Sequence, residues 1–244
     1  AAGYGSDKAI FGYGRTGSSL SLTNLVNNSG VVAADVSGVG TARYYLAAAG
    51  YGGDKAIFGY GTTGSYSSLT NLVSSSGVVA TDTTGVGTAR GYVAGVSYGG
   101  DKALFAYGYT GSNVSMSNLI SNLGVVSADV TGVGTARGYL AAASYDTDKA
   151  IFGYGYNGSA NLSMSNLVSN NGIVASDVSG VGTARRQLGA AGYGGDKAIF
   201  AYGKAGAFTS IKNLVNSSGV IAADVTGVGT AREAIAAAGY SISA

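Results

Sequence analysis

The sequence predicts an all-β fold, a five-bladed β-propeller of four-stranded blades. Three observations predict it. A unit of 47 residues recurs five times along the chain. Each unit carries four short strand-like runs divided by Gly, Ser, Asn and Thr, the residues that turns require. No run sustains a 3.6-residue apolar period, and stretches such as LVNNSGVVAADV carry a β-branched pair that favours strand.

The repeat is read from its landmarks. Asp-Lys pairs begin at Asp7, Asp54, Asp101, Asp148 and Asp196, spaced by 47, 47, 47 and 48 residues. Asn-Leu follows at Asn24, Asn71, Asn118, Asn166 and Asn213, and Thr-Ala-Arg ends at Arg43, Arg90, Arg137, Arg185 and Arg232. The units span about 1–43, 44–90, 91–137, 138–185 and 186–232 of a single domain, 1–244, with 233–244 as a closing strand.

In the second unit the first run is YLAAAGY (Tyr45–Tyr51). Its small side chains suit the innermost strand, where blades converge. KAIFGYG (Lys55–Gly61) is apolar enough to pack between blades, and Gly52-Gly53-Asp54-Lys55 makes the hairpin before it. SSLTNLV (Ser67–Val73) alternates polar and apolar residues, and GVVATDT (Gly77–Thr83) is the fourth run. One such blade cannot bury both faces, but five around an axis can, and closing the ring leaves few exposed edges. An open solenoid is the competing architecture. It needs distinct polar caps, whereas the end units look like the middle ones.

The innermost phrase occurs six times and the others five, at AAGYG and again at EAIAAAGYS. The C-terminal copy is expected to complete the first blade and displace Ala1–Gly3. A local hairpin from Ala1 is the alternative, and so is a longer parent array. The chain starts with Ala, which points to a processed, excised or incompletely represented protein.

Composition excludes several classes of function. There is no Cys and no His, so thiol chemistry and a His-based triad are absent, and so is the commonest metal ligand. The formal charge of +2 is too small to argue for nucleic acid. No apolar run is long enough to insert in a membrane as a helix.

TARGYLAAASYDTDKAIFGYG (Thr135–Gly155) resembles the kelch repeat. Arg137 stands at that family's Arg, and Gly153 and Gly155 stand near its paired glycines, here separated by Tyr154. The family's Trp in the fourth strand is absent. The resemblance covers all five units and implies a kelch-like propeller, a fold used mostly to bind partners. Phrases such as TNLV and GVGTAR, and the near-identity of the units, are also similar in style to repeat proteins of phage and marine metagenomic sequences. That resemblance implies a tail fibre or host-recognition appendage, with a virion or extracellular location.

The regular charges read as structure. Each unit contributes two Asp, one Lys and one Arg, as Asp54, Lys55, Asp82 and Arg90 in the second, and together they sum to zero. Asp54-Lys55 is expected to fix the hairpin turn, with the Asp accepting backbone N–H bonds. Asp82 and Arg90 are expected to pair either across the GVG turn or between blades. One Asp per unit is thin for calcium, so neither metal nor cofactor is expected. GYGRTG and GYGTTG match GxGxxG, but the run after them is not a helix that could hold a pyrophosphate.

The departures from symmetry carry more information. Eleven of the 18 tyrosines lie in two fixed columns, one of which includes Tyr240. The other seven are Tyr44, Tyr45, Tyr66, Tyr92, Tyr109, Tyr139 and Tyr156. They fall only in the loop between second and third strands and in the pair after Thr-Ala-Arg. In an up-and-down blade these two places share a face. Arg15, Arg186 and Lys204 gather there too, with Glu233. Tyr among Ser, Gly and Asn is a binding-surface composition. The sequence therefore predicts a non-enzymatic propeller that attaches to protein or cell-surface glycan through this face, as part of a virion assembly. A free lectin with several similar sites, or a glycoside-processing enzyme using symmetric Asp residues, are the rivals.

Overall fold

The computed structural model describes residues 1–239. The column position Tyr240 and the end of the expected closing strand lie outside the described residues. The described chain is all-β and holds five three-stranded antiparallel sheets, each in the order inner, middle, outer. The first is β1 (Ala2–Tyr4), β2 (Lys8–Arg15) and β3 (Ser19–Val26). The second is β4 (Ala47–Tyr51), β5 (Lys55–Gly59) and β6 (Thr70–Val73). The third is β7 (Ala94–Tyr98), β8 (Lys102–Ala106) and β9 (Ser117–Ile120). The fourth is β10 (Ala141–Tyr145), β11 (Lys149–Gly153) and β12 (Ser165–Val168). The fifth is β13 (Gly189–Tyr193), β14 (Lys197–Ala201) and β15 (Lys212–Val215).

Two expectations need correction. The fourth run is not a ladder strand. In the second unit it touches β6 through isolated bridges at Thr70–Thr83 and Val73–Val79. Side chains explain this. Asn71 is fully buried, and its Nδ2 donates to Ala80 O (3.0 Å) and to Asp82 Oδ1 (2.9 Å), so the side chain holds the segment where a ladder would. Nor does the C-terminal copy complete the first sheet. Ala2–Tyr4 pairs locally with β2, at Ala2↔Ile10 and Tyr4↔Lys8, because the short hairpin closes at little entropic cost. Among the described residues no ladder joins the first sheet to the fifth.

The middle strands show why the units pack in sequence. Ala56, Ile57 and Phe58 of β5 are all buried, on both faces, because a sheet lies on either side. Phe58 fits over Gly12 of the preceding unit, where an added Cβ would sit 2.8 Å from the ring. Phe105 fits over Gly59 in the same way. Each such phenylalanine contributes about 1.5–3 kcal/mol through burial.

A buried arginine staples each unit to the next. The side chain of Arg90 has no solvent exposure. Its guanidinium lies 4.3 Å from the Tyr60 ring of its own unit. Its Nε donates to Tyr107 O (2.9 Å) and its Nη2 to Asn118 Oδ1 (2.6 Å), both in the following unit. Asp129 of that unit lies 3.8 Å from Nη1. Asp82 faces the other way, to Arg43 at 3.7 Å and to Thr41, whose N–H and hydroxyl donate at 2.9 and 2.6 Å. Of the two pairings open from the sequence, the pairing is therefore between units. Burial opposes the Asp82 charge, but the bonds from Thr41 and Asn71 and the Arg43 charge outweigh it and hold the carboxyl below its ordinary range.

Candidate functional site

The inner segments meet around an axis, and the two ends of that axis differ. At the hairpin end each turn is tied to the next by its backbone. Gly5 N–H donates to Asp54 O and Gly52 N–H to Asp101 O, both at 2.6 Å. The Asp54 side chain accepts from Lys55 Nζ at 3.1 Å, so it fixes the turn through its lysine rather than through backbone N–H groups. In the fourth unit Lys149 instead takes Asp146, at 2.6 Å. A cavity of about 350 Å³ opens here, lined by Gly3, Gly50, Ser97, Ser144, Gly192 and Gly239, with Lys8, Lys55 and Lys197. Four of its polar side chains are engaged. Ser97 Oγ donates to Gly50 O (2.8 Å), Ser144 Oγ to Ser97 O (2.9 Å), and Lys55 and Lys197 pair with Asp54 and Asp196.

At the opposite end the crossover lies beside the loop that follows each middle strand. Bridges at Tyr44–Thr62–Tyr66, Gly91–Tyr109–Asn113, Gly138–Tyr156–Asn161 and Arg186–Lys204–Phe208 make this juxtaposition in four successive units. Tyr45, Tyr92 and Tyr139 form a row of tilted rings, with adjacent centroids 4.1 and 4.0 Å apart and planes 33° and 35° from parallel. Tyr44 packs on Tyr45 at 4.7 Å, and the Arg15 guanidinium lies 5.1 Å from the Tyr44 ring. Tyr109 joins Tyr92 at 6.4 Å and Tyr66 at 6.0 Å. Six of the seven asymmetric tyrosines thus form one contiguous cluster, and Tyr45 is 42 % exposed. Burial pushes the Tyr92 hydroxyl well up, reinforced by Tyr139 and Tyr45.

Tyr156 stands apart. Its ring lies 4.7 Å from the Arg186 guanidinium, and its hydroxyl donates to Gly158 O at 2.7 Å. Arg186 N–H donates to Lys204 O (3.1 Å), and Lys204 Nζ lies 5.5 Å from the Phe208 ring. Phe208 is 54 % exposed, and its place in this face did not stand out from the sequence. The available signal was its column, since Phe208 holds in its unit the place that Tyr66 holds in the second.

The backbone at Tyr45, Tyr92 and Tyr139 has φ of 54°, 56° and 59°, a left-handed conformation uncommon for tyrosine. Gln187 and Ala234 share it at 55°. The strain therefore belongs to the repeat, and the tyrosines are additions to a fixed backbone. The successive bonds Tyr92 N–H to Tyr45 O and Gln187 N–H to Tyr139 O hold that backbone.

The cluster can offer flat amphipathic rings and cationic edges. It brings no carboxylate pair to a reacting position. Among the described residues no group of three acidic residues is placed to hold a metal. Among the described residues no helix is long and apolar enough to cross a membrane. No family model matches the chain, and no curated protein matches it.

Proposed function

We propose that this chain is a non-enzymatic attachment module, a kelch-like propeller whose five sheets are blades about the common axis. Its working surface is the tyrosine face, and its partner is a protein or a cell-surface glycan. The setting that fits best is a phage tail or similar virion appendage, where a rigid repeat scaffold presents one adhesive end. The observation that carries the reading is the contiguous cluster of Tyr44, Tyr45, Tyr66, Tyr92, Tyr109 and Tyr139 with Arg15. Aromatic rings stacked at an open surface supply contact area at low entropic cost, and their hydroxyls and the nearby cations give direction.

A second reading, a free lectin with several similar sites, draws on a different observation. A groove of about 160 Å³ lies between the third and fourth units, lined by Ser115, Ser117, Val130, Asn171 and Ile173. The repeat offers counterparts of these positions between other units.

A glycan array run beside a pull-down from the source particle tests both. Attachment to one large partner, lost with the tyrosines, supports the appendage reading. Binding of several equivalents of free sugar, indifferent to the tyrosines, selects the lectin. Turnover of a glycan defeats both.

A further inference from the structure

We infer that the two end faces of this five-unit array form a receptor for a sixth unit, supplied as the outer three segments of one more copy of the repeat. The inference is independent of the tyrosine face, and each can fail alone. It rests first on the axis. A Cβ placed on Gly50 would lie 3.4 Å from Gly3 O, one on Gly192 would lie 3.0 Å from Ser144 O, and one on Gly239 would lie 3.2 Å from Gly192 O. A Cβ on Gly3 would lie 3.5 Å from Gly239 O. The axis therefore has six places. The five inner strands take five, and the segment around Gly239 takes the sixth. That segment lies against Gly189 through Ile235 and Ala237, in the manner of an inner strand. Among the described residues no middle or outer strand stands behind it.

The second ground is what the end faces leave uncovered. Phe11 is 36 % exposed, whereas its counterparts Phe58, Phe105, Phe152 and Phe200 are at most 1 % exposed. Asn24 and Asp35 bond each other at 2.8 Å, yet among the described residues neither meets the arginine or threonine that a preceding unit supplies elsewhere. At the other end, Tyr193 is 40 % exposed against 4–5 % for Tyr4, Tyr51, Tyr98 and Tyr145. Arg232 is exposed while Arg43, Arg90, Arg137 and Arg185 are fully buried. It is already seated 4.0 Å from the Tyr202 ring, and its one side-chain bond among the described residues is from Nη1 to Thr230 O. Beside it, Glu233 Oε2 is enclosed with no hydrogen-bond partner.

These two faces are the two halves of the interface that recurs four times inside the molecule. Its known occupant is a repeat unit, so the chemistry of the partner follows. A Lys-Ala-Ile-Phe strand brings the phenylalanine that packs on the fifth sheet, at Ala201. An Asn-Leu-Val strand and the Asp segment after it take Arg232 and Thr230. The partner's terminal Thr-Ala-Arg reaches Asn24 and Asp35 on the far side. Only one place at the axis, that of Gly239, lacks middle and outer strands among the described residues, so the partner that matches it is one unit and not a second copy of the whole five-unit chain.

The test adds a peptide of residues 55–90, the second unit without its inner strand, to the full chain. The expected result is saturable one-to-one binding, a higher melting temperature, and new amide protection around Phe11 and Arg232. A scrambled peptide should do none of this. Arg232→Ala should weaken binding at least about tenfold, because it leaves the peptide's Asn and Asp unmet. Asn24→Ala at the opposite lip should also weaken it. Both side chains lie at the open ends, so both variants should fold. Absence of binding, or binding unchanged in both variants, overturns the inference. Concentration-dependent self-association of the chain that covers the same residues without peptide also overturns it, in favour of a second copy.

Discussion

The hairpin end and the crossover end of the axis are built from the same five units, yet they differ in what is allowed to vary. At the hairpin end the Asp-Lys pair recurs in every unit, and the turns are tied backbone to backbone. At the crossover end the backbone is equally regular, down to the shared left-handed residue, but the side chains on it change from Tyr to Gln to Ala. The backbone is regular at both ends, and only at the crossover end do the side chains on it diverge. The repeated residues serve the scaffold in two ways: Asp54 and Lys55 pair within their own turn, and Arg90 bonds the unit that follows.

The sharpest way to break this contrast is through the arginine staple. Arg137→Ala should cost about 3–5 kcal/mol, because it empties a fully buried site and leaves Tyr154 O and the buried Asn166 Oδ1 without their donor. Arg232→Ala, chemically the same change at an exposed site, should stay within about 0.5 kcal/mol. Denaturant midpoints of the two variants measure the difference, and equal values would remove the distinction between interior and end units.

The pH limits of stability come next. Asp82, Asp129, Asp177 and Asp224 all have lowered carboxyl pKa values. In each, burial opposes the charge, and the threonine and asparagine bonds and the arginine overcome it. A lowered folded-state pKa gives stability that is whole above the ordinary value of about 3.9 and is lost as pH falls through the folded value. Melting temperature should therefore drop steeply below about pH 4. At the alkaline side, burial pushes Tyr60 up to about 12, opposed by Arg90. A raised value gives stability that is whole below about pH 10 and is lost as pH rises toward the folded value. Tyr60→Phe should blunt that alkaline loss, at a cost near 1 kcal/mol for the bond to Val86 O.

Smaller effects belong to the two ends themselves. Tyr92→Ser removes one ring from a row of three and should cost about 1 kcal/mol, from the lost aromatic pairs. Asp54→Ala breaks a half-exposed ion pair and should change stability by no more than about 0.5 kcal/mol.

Much of this was legible in the sequence, and the residues show why. The period, the hairpin at Asp54-Lys55 and the inner, middle and outer strands follow from spacing and small or β-branched side chains. The gathering of the crossover and loop tyrosines on one face follows from alternation of loops. Spacing alone left the partner of Arg90 open, because a residue eight positions from Asp82 can reach across a turn or into the next unit. The fourth run read as a strand because nothing local reveals that Asn71 will bond Ala80 O in place of a ladder. The sequence offered Ala1–Gly3 and the C-terminal copy for the same slot, and the short hairpin of Ala2–Tyr4 decides it, while the place of Gly239 beside Gly192 and Gly3 depends on contacts between distant units that no local pattern encodes.

The central claim is that attachment resides at the crossover end. Its direct measurement is partner binding by three proteins in parallel: the unaltered chain, a variant with Tyr45, Tyr92, Tyr109, Tyr139 and Tyr156 changed to Ser, and a variant with Asp54 and Lys55 changed to Ala. Each is first shown folded by its melting curve. The account predicts that the tyrosine variant loses binding to the particle or glycan while the hairpin variant keeps it. Binding kept by the tyrosine variant and lost by the hairpin variant would contradict it.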